Sequence, residues 1–196
     1  MANQFAEWRE AVITKVAELK RTDKKLKFFG AKTHKYSFNP PLSLEEADLF
    51  EKTHQIQLPP DYRFFITQIG NGGAGPYYGL RPLQDFNAHY IHHEVEPPAV
   101  YLQQPFPAHY WLNEAETRIT RDMIQQSVFG TISICEEGDG YNHLLIAAGK
   151  ETNNVWFDGS VTDQGMIPFS MPEKERFSFF DWYNSWLDLA YQELVQ

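Results

Sequence analysis

Apolar positions along this chain repeat with a helical period at both ends and alternate between Thr131 and Phe169. Near the amino terminus Phe5, Trp8, Val12, Val16 and Leu19 fall three and four residues apart with charged residues between them, which predicts an amphipathic helix over about residues 3–20. The basic stretch Lys20 to Lys27 closes it, as suits the negative end of a helix dipole. After the break at Asn39-Pro40-Pro41, Ser43 and Glu46 form a capping box ahead of a second helix running to about His54, with Leu44, Ala47 and Phe50 on its apolar face. The densest local instruction follows, Leu58 to Leu83. Pro59 and Pro60 suit only a helix's first turn, Asp61 lies near its positive end, and Tyr62, Phe65, Ile66 and Ile69 share one face. Gly70 stands where a left-handed residue would end that helix, Asn71-Gly72-Gly73 reverses the chain, and Tyr77 to Leu83 leaves as an extended segment.

From Gln84 to Gln126 the pattern is least regular. Prolines at 97, 98, 105 and 107 interrupt it, Tyr110, Trp111 and Leu112 make a compact apolar contact, and a short helix is expected over Asn113 to Gln126. Strands follow at Thr131 to Cys135, Tyr141 to Ala147, Val155 to Phe157 and Gln164 to Phe169, separated by glycine turns at Gly138-Asp139-Gly140, Gly149 and Asp158-Gly159. A capping pair, Ser178 and Asp181, opens the closing helix. One stripe of it carries Phe180, Tyr183, Leu187, Ala190, Tyr191 and Leu194, and an adjacent one carries Phe179, Trp182 and Trp186, so the helix is expected to be wedged between layers. Together these elements predict one α+β domain, residues 1–196, in which an antiparallel meander is covered by helices on one side.

Composition narrows the function classes. Seventeen basic against 26 acidic residues leave a net charge of −9 and no basic run able to follow a phosphate backbone, so direct nucleic-acid binding is not expected. A helix-turn-helix reading of the two consecutive helices fails because the second begins with Asp61, Tyr62 and Arg63 rather than a basic edge. An acidic surface suits a basic protein partner. Fifteen Phe, 10 Tyr and 5 Trp fill an aromatic core and leave rings for a contact surface. The single Cys135 excludes an intramolecular disulfide, no signal-like start or membrane-length apolar run is seen, and a cytoplasmic setting is expected.

Catalytic constellations are weak. If Asp139-Gly140 is a two-residue turn, Cys135 faces Leu144 and His143 points to the other face, so no thiol–imidazole pair forms. His89, His92 and His93 with Glu94 and Glu96 offer metal ligands, but their spacing matches no metal motif and a solvated polar loop is the default. The glycines near Asn71 follow a helix instead of preceding one and carry no Gly-Lys-Ser/Thr, so they are a turn and not a phosphate cradle. No catalytic set, metal or cofactor is assigned. Two patches suit a protein partner: Glu136, Glu137, Asp139 and Tyr141 along the hairpin, and Tyr77 and Tyr78 with the loop at Asp85.

Leu58-Pro59, Asp61-Tyr62, Phe65, Asn71-Gly72-Gly73 and Tyr78-Gly79-Leu80, followed in order by the later glycine turns, Val155-Trp156 and Trp182 with Leu187, resemble the signature of the Smi/Knr family of the SUKH superfamily. The resemblance runs in outline from Leu42 to Leu194, is specific between Leu58 and Leu80, and leaves Gln84 to Gln126 unmatched. It implies a non-enzymatic protein-binding module. In bacteria such proteins are similar to immunity proteins that neutralise toxins, often nucleases or other nucleic-acid-modifying enzymes, and in fungi relatives act as regulatory scaffolds of cell-wall assembly. The expectation is therefore a monomer or weak homodimer that covers the active site of a basic toxin domain. A regulatory scaffold and a small metal-dependent or cysteine hydrolase are the alternatives.

Overall fold

In the computed structural model, which describes residues 2–88, 98–108, 126–162 and 164–195, the helices and the sheet share one apolar core. Helix α1 (Ala2–Thr22) buries Trp8, Val12, Val16 and Leu19, the face its spacing predicts. A single turn, α2 (Ala31–His34), follows Gly30. Helix α3 (Leu44–His54) opens on the expected capping box: the Ser43 hydroxyl accepts from Glu46 N–H at 3.1 Å, and the Glu46 carboxylate accepts from Ser43 N–H at 2.8 Å. Helix α4 (Pro60–Gln68) has Pro60 in its first turn and buries Tyr62, Phe65 and Ile66, with Ile69 buried just beyond.

The end of α4 differs from expectation. Gly70 is not left-handed; both Ile69 and Gly70 N–H donate to Phe65 O, and the reversal falls at Gly72 and Gly73, with φ of 90° and 102°. Glycine is needed at position 70 because a Cβ there would sit 2.7 Å from the Cβ of Phe38. Nor is Tyr77 to Leu83 uniformly extended. Tyr77 lies at φ 50° and Gly79 at 101°, Leu80 bridges Cys135, Arg81 N–H donates to Ile134 O at 2.9 Å, and Leu83–Asp85 forms a 3-10 turn. This segment therefore pairs along the outer edge of the first strand and leaves fewer backbone groups there unpaired.

Strands β1 (Thr131–Gly138), β2 (Tyr141–Ile146), β3 (Val155–Asp158) and β4 (Met166–Pro168) form an antiparallel meander in that spatial order. Asp139-Gly140 is the two-residue turn, since Gly138 pairs with Tyr141. The register inferred from it is nevertheless wrong. An irregularity between Glu136 and Gly138 adds one residue to β1, so Cys135 pairs with His143, and a second between Ser133 and Cys135 sets Ser133 opposite Leu144. Alternation then places His143 and Phe157 on one face and Leu144 and Trp156 on the other.

Helix α5 (Phe179–Val195) covers the His143 face, with the Trp182 ring 5.4 Å from the imidazole. Its capping pair forms as expected: Asp181 N–H donates to the Ser178 hydroxyl and the Asp181 carboxylate accepts from Ser178 N–H. On its far side α5 packs on α1, where the Trp8 indole N–H donates to Asn184 Oδ1 at 2.9 Å. Trp156 on the opposite sheet face meets Phe106 edge-on at 4.8 Å. The irregular region is thus partly core, because Ala88, Tyr101, Leu102 and Phe106 are all buried. The expected helix at 113–126 and the Tyr110–Leu112 contact lie almost wholly outside the described residues. Among the described residues no helix is long and apolar enough to cross a membrane.

Candidate functional site

An aromatic cleft of about 340 Å³ opens where four pieces of chain meet: Phe28 and Phe29 before α2, Pro76 and Tyr77 after the glycine turn, Phe169 and Met171 beyond β4, and one stripe of α5. That stripe is Trp182, Trp186, Leu189 and Glu193, successive steps of four, three and four residues on one helix face. The adjacent stripe, Tyr183, Leu187 and Ala190, is buried in the core. The wedge reading of α5 therefore holds for Trp182 and Trp186, which are buried, and gives way at Leu189, which is 57% exposed. Phe29 (55%) and Tyr78 (42%) complete an exposed apolar rim, with the Phe29 ring 6.2 Å from Tyr77 and 5.5 Å from Tyr78.

Tyr77 holds the wall of the cleft by an unusual backbone. Its positive φ turns the ring flat onto His143, 4.9 Å away, and its carbonyl presses against Gly30, where a Cβ would lie 1.5 Å from the oxygen. Only glycine permits that approach at Gly30, itself at φ 78°. The loop carrying Phe29 and the loop carrying Tyr77 are locked together at this contact.

Behind Tyr77 lies a buried polar group. His143 Nε2 is 3.2 Å from Glu137 Oε2, and its Nδ1 has no hydrogen-bond partner. Burial lowers the imidazole pKa more than Glu137 raises it, so the ring is neutral near pH 7. Burial, reinforced by Glu137, pushes the Tyr77 phenol upward. Cys135 shares the sheet face with His143 but does not hydrogen-bond it; the thiol donates to Pro76 O at 3.1 Å, is fully buried, and is pushed up by that burial. A thiol so placed is a poor nucleophile. Cys135 thus anchors Pro76, which is itself part of the cleft wall.

The two patches expected from sequence merge. Tyr78 N–H donates to Glu136 O at 3.4 Å and the Tyr78 ring lies against Gly138, so tyrosine pair and acidic hairpin form one continuous surface. Within it Glu136 is paired with Arg81 at 2.8 Å, Asp139 is exposed at the turn, and Tyr141 stacks on Phe157 with its hydroxyl 2.9 Å from that of Thr162. Asp85 lies in the 3-10 turn Leu83–Asp85. It follows Gln84, which lines a second groove of about 290 Å³ with Leu42, Leu49, Phe50 and His54. His89, His92, His93, Glu94 and Glu96 lie outside the described residues; among the described residues no group of three or more His, Cys, Asp or Glu is placed to hold a metal.

Phe28, Phe29, Phe169, Met171, Leu189 and Glu193 were not foreseen from sequence. The α5 residues had a signal, since Leu189 and Glu193 continue the Trp182–Trp186 stripe. Phe29 had only its place beside Gly30. The signature residues have structural roles. Asp61 is buried, accepts from Tyr62 N–H and reaches across to accept from Phe180 N–H at 2.9 Å, capping α5. Asn71 Oδ1 accepts from Leu83 N–H at 2.8 Å. Gly79 is at positive φ with Gly73 O pressed against it, and Leu58, Pro59, Tyr62 and Phe65 build α4 and its core face. Comparison of the chain with protein-family models, with curated proteins and with solved structures yields no match.

Proposed function

We propose that this chain is a non-enzymatic protein-binding module, an immunity protein that neutralises a nuclease-like or other nucleic-acid-modifying toxin by covering its active site. The observation that carries the reading is the aromatic cleft with its exposed rim of Phe29, Tyr78 and Leu189, continuous with the acidic hairpin Glu136 to Asp139. Rings at the centre and charge at the edge are the composition of a protein interface. The net charge of −9 favours a basic partner and speeds its encounter. The resemblance of Leu58 to Leu80 to the Smi/Knr signature points the same way, and the burial of Cys135 argues against a cysteine hydrolase.

A regulatory scaffold of the cell-wall-assembly type would use the same surface on several endogenous partners. The two readings separate in one experiment. The tagged protein is used to capture the product of any toxin gene adjoining its own, and cells expressing that toxin are scored for survival with and without it. Capture with rescue is the expected result. Capture of endogenous proteins without rescue would transfer the reading to the scaffold.

A further inference from the structure

The cleft is chemically biased toward one kind of occupant. Among the described residues, six of those lining it are aromatic, one is charged, the carboxylate of Glu193, and none is lysine, arginine or histidine. The basic stretch Lys24 to Lys27 precedes Phe28 in the chain but contributes none of the wall. Glu193 forms no ion pair among the described residues. Aromatic faces and carboxylates without a counter-cation attract positive charge, and an aliphatic stem packs on such walls while its head remains near the carboxylate.

We propose that the cleft is a recognition pocket for a single cationic side chain, an arginine or lysine presented by the protein partner, its stem packed against Met171, Leu189 and the rings and its head held by the aromatic faces and by Glu193. The inference rests on the protein-binding reading of this site and adds the chemistry of the residue that enters it. It also assigns different work to the two halves of the surface. The hairpin guides a basic partner by long-range charge, and the cleft selects one side chain by contact.

The test uses the full chain and three probes: Nα-acetylarginine methylamide, its neutral near-isostere Nα-acetylcitrulline methylamide, and Nα-acetylleucine methylamide. Binding is followed through the indole N–H resonances of Trp182 and Trp186 in nitrogen-15 NMR titrations. The arginine probe is expected to bind about tenfold more tightly than the citrulline probe, the scale of a partly desolvated cation–π contact. In the variant Glu193→Gln that preference shrinks by most of its value while the indole resonances keep their dispersion. Equal binding of arginine and citrulline probes, preference for the leucine probe, or no shift of either indole with the arginine probe would overturn the proposal. Phe29→Ser, on the exposed rim and outside the core, provides a variant expected to fold and to weaken the arginine probe. If toxin capture succeeds while the arginine preference is absent, the cationic pocket fails and the protein-binding reading stands; if the preference is present and no toxin is captured, the toxin assignment fails and the cleft's selectivity for a cationic side chain stands.

Discussion

His34 couples the stability of the fold to pH in a way that can be worked through from its surroundings. Its Nδ1 accepts a hydrogen bond from Tyr36 N–H at 3.1 Å, which places the ring proton on Nε2, and Nε2 is buried without a partner. Protonating Nδ1 would break that bond and leave a buried cation between the edges of Tyr36 and Trp186. Burial accordingly lowers the pKa from 6.5 to about 4. The sign follows from linkage. Below pH 6.5 the unfolded chain takes up a proton that the folded chain refuses until about pH 4, so the stability this group contributes is complete above 6.5 and is lost as the pH falls. Between pH 7.5 and pH 5 the loss amounts to about 2 kcal/mol. His143, lowered in the same direction, adds to it, whereas Asp61, raised by burial, opposes it. His34→Asn isolates the contribution, because the asparagine amide oxygen can accept from the N–H two residues on while carrying no titrating group. Urea unfolding of both proteins at the two pH values is the assay. The wild type is expected to lose about 2 kcal/mol more than the variant on acidification, whatever constant difference separates them at pH 7.5. Equal losses in the two proteins would refute the reasoning and mean that the His34 ring reaches solvent when it protonates.

Three further outcomes test the architecture. Asp61→Ala removes the acceptor for Phe180 N–H and should cost about 2 kcal/mol in urea unfolding, with the loss of α5 helicity visible by circular dichroism when the protein is warmed. Gly30→Ala forces a methyl group onto the Tyr77 carbonyl in a left-handed conformation and should destabilise by about 3 kcal/mol or more, whereas Gly138→Ala, also at positive φ but with the edge of the Tyr78 ring 3.1 Å away as its nearest neighbour, should cost less. Cys135 should react with a disulfide reagent at the rate of unfolding and not at that of an open thiol; rapid labelling of native protein would show that Pro76 and the cleft wall open readily.

Helices and caps were legible in the sequence because their causes are local. The Ser43–Glu46 and Ser178–Asp181 pairs and the α1 and α4 apolar faces are specified within a few residues, and all four appear as expected. The sheet register was not legible. One added residue between Glu136 and Gly138 moves Cys135 from Leu144 to His143, a second between Ser133 and Cys135 sets Ser133 opposite Leu144, and the strand there pairs with Leu80 and Arg81, some fifty residues away in sequence. The role of Gly70 was misread for the same reason, since the neighbour that requires a glycine there is Phe38 rather than the helix end. The site was half legible. Tyr77, Tyr78 and the hairpin acids were chosen by residue type, but their merger into one surface, and the arrival of Phe29, Phe169 and Met171 from distant segments, depends on tertiary packing that no local pattern contains.

The fingerprint stretch and the cleft are connected through the phase of α5. Successive residues on a helix are separated by about 100°, so rotating α5 by a single residue would carry Trp182 and Trp186 away from the cleft and bring core residues toward solvent. What sets the phase is contact at its first turn: the Asp61 carboxylate accepts Phe180 N–H, and Phe179 packs on Tyr62 and Phe65 with ring centroids 5.0 and 5.3 Å apart. All three partners belong to the Pro59 to Phe65 run. Further along, Tyr183 donates its hydroxyl to Ala74 O at 3.0 Å, fixing the same helix to the segment that leads into Tyr77. One stretch of sequence therefore aims the tryptophans and positions the tyrosine opposite them. Its residues do their work beneath the surface, and their effect on recognition is exerted through the geometry of the cleft they hold open.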